Sequence, residues 1–444
     1  MFCLELLITI TLNNRDRIMI LWQGIHDYIA GIVQTTIMPC ALVEKAVFGL
    51  LCICQRLLPY KENLAEELLR SLQLILKLDA RVADVYCERI TQEIMQLVKT
   101  NAGHIKSLVG WCTVVSLLSI TARHPDASEP GFEALSFIMT DGAHLTRANY
   151  VLCLDAARSF AESRIGTTYR SMRALDLISG SVKCLVQWSK TDSHDSIVVG
   201  LSREDTAKSS QEVGEMWLRV VHCFRKVCID QREEVRNHAI LSLQRCLSVA
   251  EVIYITPSIW SQCFDQVIFT MLDDLLEIAQ GHSRKEYRNM EATLQHAMKF
   301  LSKLFLQLLS QLSSLSNFRK LWLGVLSIME KYMKAKIRGK GSEKLQELIP
   351  ELLKNMLLIL KARGVLVQKS TLNGDRLWEM TWLHIQGISP ILKAECFPDQ
   401  DPEDKPDPKS DPKSNGSEFV EDVAAGCEVA INDGSQVRQE KGEK

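Results

Sequence analysis

The class of fold is decided by residues 230–243, which read Asp230-Gln-Arg-Glu-Glu-Val-Arg-Asn-His-Ala-Ile-Leu-Ser-Leu243. Val235, Ala239 and Leu243 follow one another at steps of four residues, so they share one face of an α-helix. The small side chain of Ala239, in the middle of that face, allows a neighbouring helix to approach closely. The segment therefore predicts a helix that packs tightly against another helix.

The same segment has an acidic residue at its start and an arginine inside the helix. Its order, D-x-x-x-x-V-R-x-x-A-x-x-x-L, resembles the second helix of a HEAT repeat. In that arrangement Asp230 is expected in the turn between two helices, beside Arg236. Repeats of this kind have periods of roughly 40–47 residues, and the spacing drifts elsewhere in the chain. The prediction is an all-α fold, an irregular HEAT/armadillo-like helical solenoid.

The composition supports helices over most of the chain. The 444 residues are 46% hydrophobic and 24% charged, with a formal net charge of −2. Residues 1–397 contain 18 of the 22 glycines and 7 of the 12 prolines, which is about half the usual frequency of these helix breakers. No long stretch shows the alternation of a β-strand. The near-neutral charge argues against a nucleic-acid-binding protein.

Four regions follow from these patterns. Residues 1–190 and 211–397 are predicted helical HEAT-like regions, separated at 191–210 by a polar loop rich in Ser, Asp and Thr. Residues 398–444 contain 13 acidic and 6 basic residues and five prolines. This acidic, proline-containing tail cannot bury a core and is expected to be disordered. The opening residues resemble a helix already under way, which suggests that part of a parent protein precedes them.

Sequence patterns that carry catalysis or cofactor binding are missing. There is no phosphate-binding loop, metalloprotease motif, nucleophile elbow or kinase signature, so we predict no catalytic residue and no cofactor. Most of the 14 cysteines stand singly, and even Cys52 and Cys54 lack the spacing of a metal site. Buried free thiols and no metal ion are expected. No uncharged stretch reaches the length of a membrane span.

Two further features of the sequence are assigned to packing or to solvent. Asp273 and Asp274 point about 100° apart on a helix, which favours a solvated face over a catalytic pair of carboxylates. Five tryptophans are predicted to pack between helices: Trp217, Trp260, Trp322, Trp378 and Trp382.

Five cations crowd the end of one predicted helix, at Lys331, Lys334, Lys336, Arg338 and Lys340. The helix is predicted to run from 318 to 338, which would place Lys334 and Arg338 on one face. The simplest interpretation is a helix C-terminus whose cations complement the helix dipole. The alternative is a patch that binds an anionic membrane surface or a protein partner.

The sequence from Phe2 to about Gln400 resembles, in one colinear order, the plant GNOM-type large ARF guanine-nucleotide exchange factors. The motifs that carry the resemblance include Leu58-Pro-Tyr-Lys-Glu-Asn-Leu64, Ser119-Ile-Thr-Ala-Arg-His-Pro125, Ala148-Asn-Tyr-Val-Leu-Cys-Leu-Asp-Ala-Ala-Arg158, Gly214-Glu-Met-Trp-Leu-Arg219 and Leu377-Trp-Glu-Met-Thr-Trp-Leu383.

The resemblance implies a place in the activation of ARF-family GTPases. In this family a central helical domain performs exchange by inserting a glutamate into the nucleotide site, and an N-terminal domain mediates dimerisation. Neither domain matches these 444 residues. The resemblance therefore implies the portion downstream of the exchange domain, and the family's catalytic glutamate has no counterpart on this chain.

Two functional hypotheses follow. The first is the C-terminal regulatory and membrane-association region of a GNOM-like exchange factor that acts in vesicle-mediated transport. It would lie in the cytosol and peripherally on Golgi or endosomal membranes, bind protein partners and an anionic membrane surface, and meet an ARF GTPase only through the missing domain. The alternative is a free-standing HEAT-repeat adaptor without exchange activity. An importin-like receptor is disfavoured because the body lacks a strongly charged face.

Overall fold

The computed structural model describes residues 1–35, 38–198, 203–249, 253, 255–281, 287–337, 341–367 and 376–398. Within these ranges every regular element is a helix, so the all-α prediction is confirmed. The tail at 398–444 was expected to be disordered, and all of it after Pro398 lies outside the described residues.

Nineteen α-helices occupy the described residues. They are α1 (Phe2–Asn13), α2 (Ile18–Gln34), α3 (Cys40–Leu57), α4 (Ala65–Ser71), α5 (Ala80–Asn101), α6 (Leu108–Thr121), α7 (Ser128–Met139), α8 (Tyr150–Glu162), α9 (Thr168–Val198), α10 (Arg203–Arg225), α11 (Glu233–Ser248), α12 (Pro257–Gln262), α13 (Thr270–Gln280), α14 (Met290–Gln307), α15 (Leu309–Leu312), α16 (Phe318–Lys334), α17 (Gly341–Ala362), α18 (Leu377–Gln386) and α19 (Leu392–Cys396). A π-helical segment, Cys263–Phe269, joins α12 to α13.

Most helices of residues 1–397 pack in two layers. The first layer contains α4, α6, α8, α10, α12 with α13, α16 and α18, and the second contains α1, α3, α5, α7, α9, α11, α14, α17 and α19; successive members of each layer pack against one another. Most helices of the first layer are followed by their partner in the second. Stacked helix pairs of this kind bury one continuous core, and the irregular HEAT/armadillo-like solenoid is confirmed.

The segment that decided the fold forms α11, and its apolar stripe is buried. Val235, Ala239 and Leu243 are all 0% exposed. The helix packs against α9 on one side and α14 on the other. The four-residue spacing in the sequence therefore identified the core-facing side of the helix.

Arg236, on the same helix, is also 0% exposed. Its guanidinium donates hydrogen bonds to the main-chain carbonyls of Asp230 and Arg288, at 2.8 and 2.7 Å, and to the Thr293 hydroxyl at 3.1 Å. Burial lowers the pKa of this guanidinium. Asp230 lies beside Arg236 as expected, but its carboxylate accepts from Arg232 at 2.9 Å instead. Arg236 thus joins the turn before α11 to the start of α14.

The polar stretch predicted as a loop at 191–210 is mostly helical. Helix α9 continues to Val198 and α10 begins at Arg203. The prediction failed because a polar helix is anchored here by ion pairing: the Asp192 carboxylate accepts two hydrogen bonds from Arg147, at 2.6 and 2.8 Å, and another from Ser209. Whether two domains divide at this stretch stays a prediction.

The predicted packing of the tryptophans is observed. Trp217 and Trp322 are each 0% exposed, and Trp260 is 1% exposed. The Trp217 indole donates to the carbonyl of Cys246 at 3.1 Å, and its ring meets that of Trp260 edge to face, with 5.3 Å between the centroids. Aromatic side chains therefore join α10, α11 and α12 into one cluster.

All thirteen cysteines in the described part of the chain are free, and eight of them are buried. Burial raises the pKa of the Cys153 and Cys223 thiols to about 12. A thiol with a raised pKa stays protonated near neutral pH, and the thiolate is the reactive form.

Native thiol reactivity should follow this division. Iodoacetamide near neutral pH is expected to alkylate the exposed Cys3, Cys40 and Cys112 and to leave Cys153 and Cys223 unmodified. Peptide mass spectrometry measures the extents, and labelling in urea supplies the fully accessible control. Native Cys153 that reacts as fast as Cys40 would contradict the packing of α8.

Candidate functional site

The structure shortens the helix that was predicted to carry the cation cluster. Helix α16 ends at Lys334, and Ala335 has extended backbone angles, so the prediction that Lys334 and Arg338 share a helical face is wrong. Ala335 and Ile337 are 4% and 6% exposed. Burial of alternate residues holds this segment extended and turns Lys336 toward solvent.

The first two lysines of the cluster are paired with carboxylates. Lys331 donates to both carboxylate oxygens of Asp273, at 2.8 and 3.0 Å. Lys334 pairs with Glu330, which also accepts from His384 at 3.1 Å. The hydrogen bonds from Lys334 and His384 hold the pKa of the Glu330 carboxyl below its usual range. These pairs reduce the positive charge that α16 presents.

Of the remaining three cations of the cluster, the structure describes only one. Lys336 is exposed, whereas Arg338 and Lys340 lie outside the described residues. The role of the whole cluster in binding an anionic surface stays a prediction.

A second basic surface lies in a cleft of about 410 Å³ where α8, α10 and α13 meet. Arg219 donates to both carboxylate oxygens of Asp155, at 2.8 and 3.0 Å, and Arg225 lies 3.6 Å from Asp274. The pKa of His222 is lowered by burial and by Arg219 and Arg225. Both acidic residues of the cleft, Asp155 and Asp274, are paired with arginines. Because the cleft contains more cations than carboxylates, it has a modest positive charge.

The Asp273-Asp274 pair is thus placed as predicted, on a solvated face. Asp273 binds Lys331, while Asp274 lies near Arg225, so the two carboxylates face different neighbours. No group of three or more His, Cys, Asp or Glu side chains within the described ranges is placed to hold a metal ion. None of the helices described is both long and apolar enough to cross a membrane.

An apolar groove between α11 and α14 is another depression, and sequence analysis did not foresee it. Ile240 and Phe300 are 4% and 3% exposed and form its floor. Leu241 stands at its edge, 54% exposed. The sequence contains only a weak indication of this groove. Leu241 is a single leucine outside the apolar stripe of α11, at a position where the repeat pattern does not require an apolar residue.

The described fold defines a protein of stacked helix pairs, and comparison with known families agrees. Residues 217–392 match a family model described as "GBF1-like, tetratrico peptide repeat region". Among solved structures, a circular tandem repeat protein covers 87% of this chain at 12% identity with a TM-score of 0.38. The fold assignment rests on the helix packing described above.

Curated relatives are more specific. The chain is 64% identical over 400 residues to "ARF guanine-nucleotide exchange factor GNOM" of Arabidopsis thaliana, and 55% identical over 401 residues to "ARF guanine-nucleotide exchange factor GNL1" of the same plant; each match covers 90% of this chain. A Caenorhabditis elegans homologue named as a Golgi-specific brefeldin A-resistance exchange factor is 30% identical over 185 residues, 42% of this chain and 9% of that relative.

The chain is therefore a homologue of the GNOM-type ARF guanine-nucleotide exchange factors, and the resemblance read from its motifs is confirmed. It spans 27% and 28% of the length of the first two relatives. The activities of those whole proteins are assigned to this chain only as a proposal.

Proposed function

We propose that this chain is the C-terminal regulatory and membrane-association region of a GNOM-like ARF guanine-nucleotide exchange factor, downstream of the exchange domain. The observation that carries the proposal is the 64% identity to GNOM over 400 residues. It acts in vesicle-mediated transport, in the cytosol and peripherally on Golgi or endosomal membranes. ARF activation belongs to the exchange domain, which this chain does not match.

The exchange assay tests the division of labour. Release of a fluorescent GDP analogue from an ARF GTPase is expected to proceed at the uncatalysed rate when this chain alone is added, because its helix pairs offer no glutamate matching that of the exchange domain. An exchange domain from a GNOM-type protein, assayed in parallel, shows that the GTPase is competent. Acceleration by this chain alone would refute the assignment downstream of the exchange domain.

Membrane association is proposed for the cation cluster at 331–340. A lysine near an anionic leaflet contributes roughly 1 kcal/mol, and pairing of Lys331 and Lys334 with carboxylates reduces their share. The cluster then supports weak, reversible binding, as suits a peripheral protein.

Vesicle flotation tests this membrane proposal. The triple variant Lys334→Glu/Lys336→Glu/Lys340→Glu should bind vesicles of phosphatidylcholine and phosphatidylserine at least about tenfold more weakly than the wild type. Lys190→Glu/Arg376→Glu/Lys393→Glu changes the net charge equally at exposed residues elsewhere, and this control should float like the wild type. Equal flotation of all three proteins would contradict membrane binding by the cluster and would mean that its cations only complement the dipole at the helix end.

The alternative, a free-standing adaptor, makes a different prediction for the transcript. Full-length transcripts that encode an in-frame exchange domain upstream of Met1 favour the exchange-factor proposal. A promoter and a transcript start immediately before Met1 favour the adaptor.

A further inference from the structure

The groove between α11 and α14 has the geometry of a site for a short helix. Each wall is a row of residues spaced three and four apart, with Asn237, Leu241 and Gln244 on α11, and His296, Lys299 and Lys303 on α14. The groove is open to solvent and has a volume of about 220 Å³. Rows at this spacing form the ridges and grooves into which another helix packs.

Hydrogen bonds between the two helices mark both ends of the groove. At one end the Thr293 hydroxyl lies 3.5 Å from the Asn237 amide oxygen. At the other, Ser248 donates to the Gln307 side chain at 3.2 Å. The seven-residue separation of Asn237 and Gln244 corresponds to a rise of about 10 Å, or two helical turns. The groove therefore has a defined length.

The chemistry of the walls selects the kind of helix. The floor, Ile240 and Phe300, is apolar, and Leu241 adds a half-exposed apolar edge. The α14 wall carries two exposed lysines four residues apart, Lys299 and Lys303. The α11 wall offers neutral amides instead. An occupant is favoured if it buries an apolar ridge on the floor and places carboxylates along the side that faces α14.

An extended peptide fits this groove less well than a helix. The main-chain groups of α11 and α14 are already hydrogen-bonded within their own helices, so they cannot pair with an extended strand. A helix satisfies its own main chain and needs only side-chain contacts.

We propose that the α11–α14 groove binds an amphipathic helix of about two turns, with an apolar ridge and an acidic edge, from a protein partner. This binding function is independent of the exchange-factor proposal, since a regulatory region and a free-standing adaptor could both use it. Lys299 and Lys303 fix the orientation of the partner, and Leu241 with the floor supplies the contact area.

The probe is an acetylated, fluorescein-labelled peptide of about 14 residues. Its leucines are spaced three and four residues apart on one face, and two glutamates four residues apart lie along the edge of that face. Fluorescence anisotropy with the full chain is expected to show saturable binding. A scrambled peptide of the same composition, whose leucines no longer share a face, should bind at least tenfold more weakly.

Two sets of variants locate the site. Leu241→Glu should weaken binding at least tenfold, whereas Ile120→Glu, at a residue of similar exposure on α6, should not change it. Lys299→Glu/Lys303→Glu should weaken binding of the acidic peptide about tenfold and strengthen binding of a peptide whose glutamates are replaced by lysine. Circular dichroism confirms that each variant is folded, as expected for substitutions at exposed positions.

Several results would overturn the proposal. One is the lack of saturable binding to the wild type at peptide concentrations up to about 1 mM. Others are equal binding by Leu241→Glu, or no reversal of charge preference in the lysine variants. Flotation with anionic vesicles separates a lipid site from a peptide site: if Leu241→Glu loses vesicle binding but still binds the peptide, the groove contacts membrane instead. The exchange assay is unaffected by any of these outcomes.

Discussion

Replacing Arg236 with alanine is expected to lower the free energy of unfolding by about 3–5 kcal/mol. The guanidinium is fully buried and hydrogen-bonds the main-chain carbonyls of Asp230 and Arg288 and the hydroxyl of Thr293. Its removal leaves these oxygens without their donor in the interior, and it opens a cavity between α11 and α14. Urea denaturation followed by circular dichroism measures the loss.

The same helix supplies the control for this prediction. Arg245 is exposed near the end of α11, and Arg245→Ala should change stability by less than about 0.5 kcal/mol. Arg236→Lys should also destabilise, because one ammonium cannot reproduce the planar set of hydrogen bonds. If Arg236→Ala and Arg245→Ala had the same denaturation midpoint, the buried guanidinium would not hold these turns together.

Replacing Trp217 with alanine should cost a similar amount, about 3–5 kcal/mol. The indole is 0% exposed and packs edge to face against Trp260, and its N–H donates to the carbonyl of Cys246. Alanine removes most of the side-chain volume and the hydrogen bond together. Denaturation curves and amide exchange in α10 and α11 report the loss.

Two further variants separate the contributions of packing and hydrogen bonding. Trp217→Phe keeps an aromatic ring but loses the donor, so it should cost less, about 1–3 kcal/mol. Trp378→Ala serves as a comparison at a partly buried indole that contacts Trp382 and Phe397, and it should leave amide exchange in α10 unchanged. Equal effects of Trp217→Phe and Trp217→Ala would mean that ring packing contributes nothing.

Periodicity predicted the helices best where the apolar stripe was unambiguous. The spacing of Val235, Ala239 and Leu243 placed all three in the core. Asp79, which directly precedes α5 and is of a residue type favoured at helix N-caps, accepts a hydrogen bond from the main-chain N–H of Arg81 at 3.0 Å. Both features are local, because they depend on residues within one or two turns of each other, which makes them readable from the sequence.

The errors arose where distant residues decide the local structure. Asp192 lies in a stretch whose composition favours a loop. It is nevertheless part of helix α9 and pairs with Arg147, 45 positions earlier in the chain. Helix α16 ends at Lys334 because Ala335 and Ile337 are buried against the rest of the fold. The periodicity of the sequence could not predict either contact, because each depends on which helices pack together in the fold.

The candidate sites follow the same division. The cations at 331–340 were visible because they are close in sequence, but their pairing with Asp273 was not. The α11–α14 groove needs Leu241 and Lys299 to face one another, although they are far apart in the chain. Their juxtaposition comes from the packing of two second-layer helices, which periodicity does not encode.

The buried Arg236 also affects how a disturbance travels along the stack. In an array of this kind each helix pair contacts mainly its neighbours. A rotation applied at one end is therefore transmitted along the array only through interfaces that are stiff. The guanidinium of Arg236 hydrogen-bonds main-chain carbonyls on both sides of one interface, at Asp230 and Arg288, so we expect α11 and the start of α14 to rotate together. Such a buried arginine therefore couples two neighbouring helix pairs of the stack rigidly.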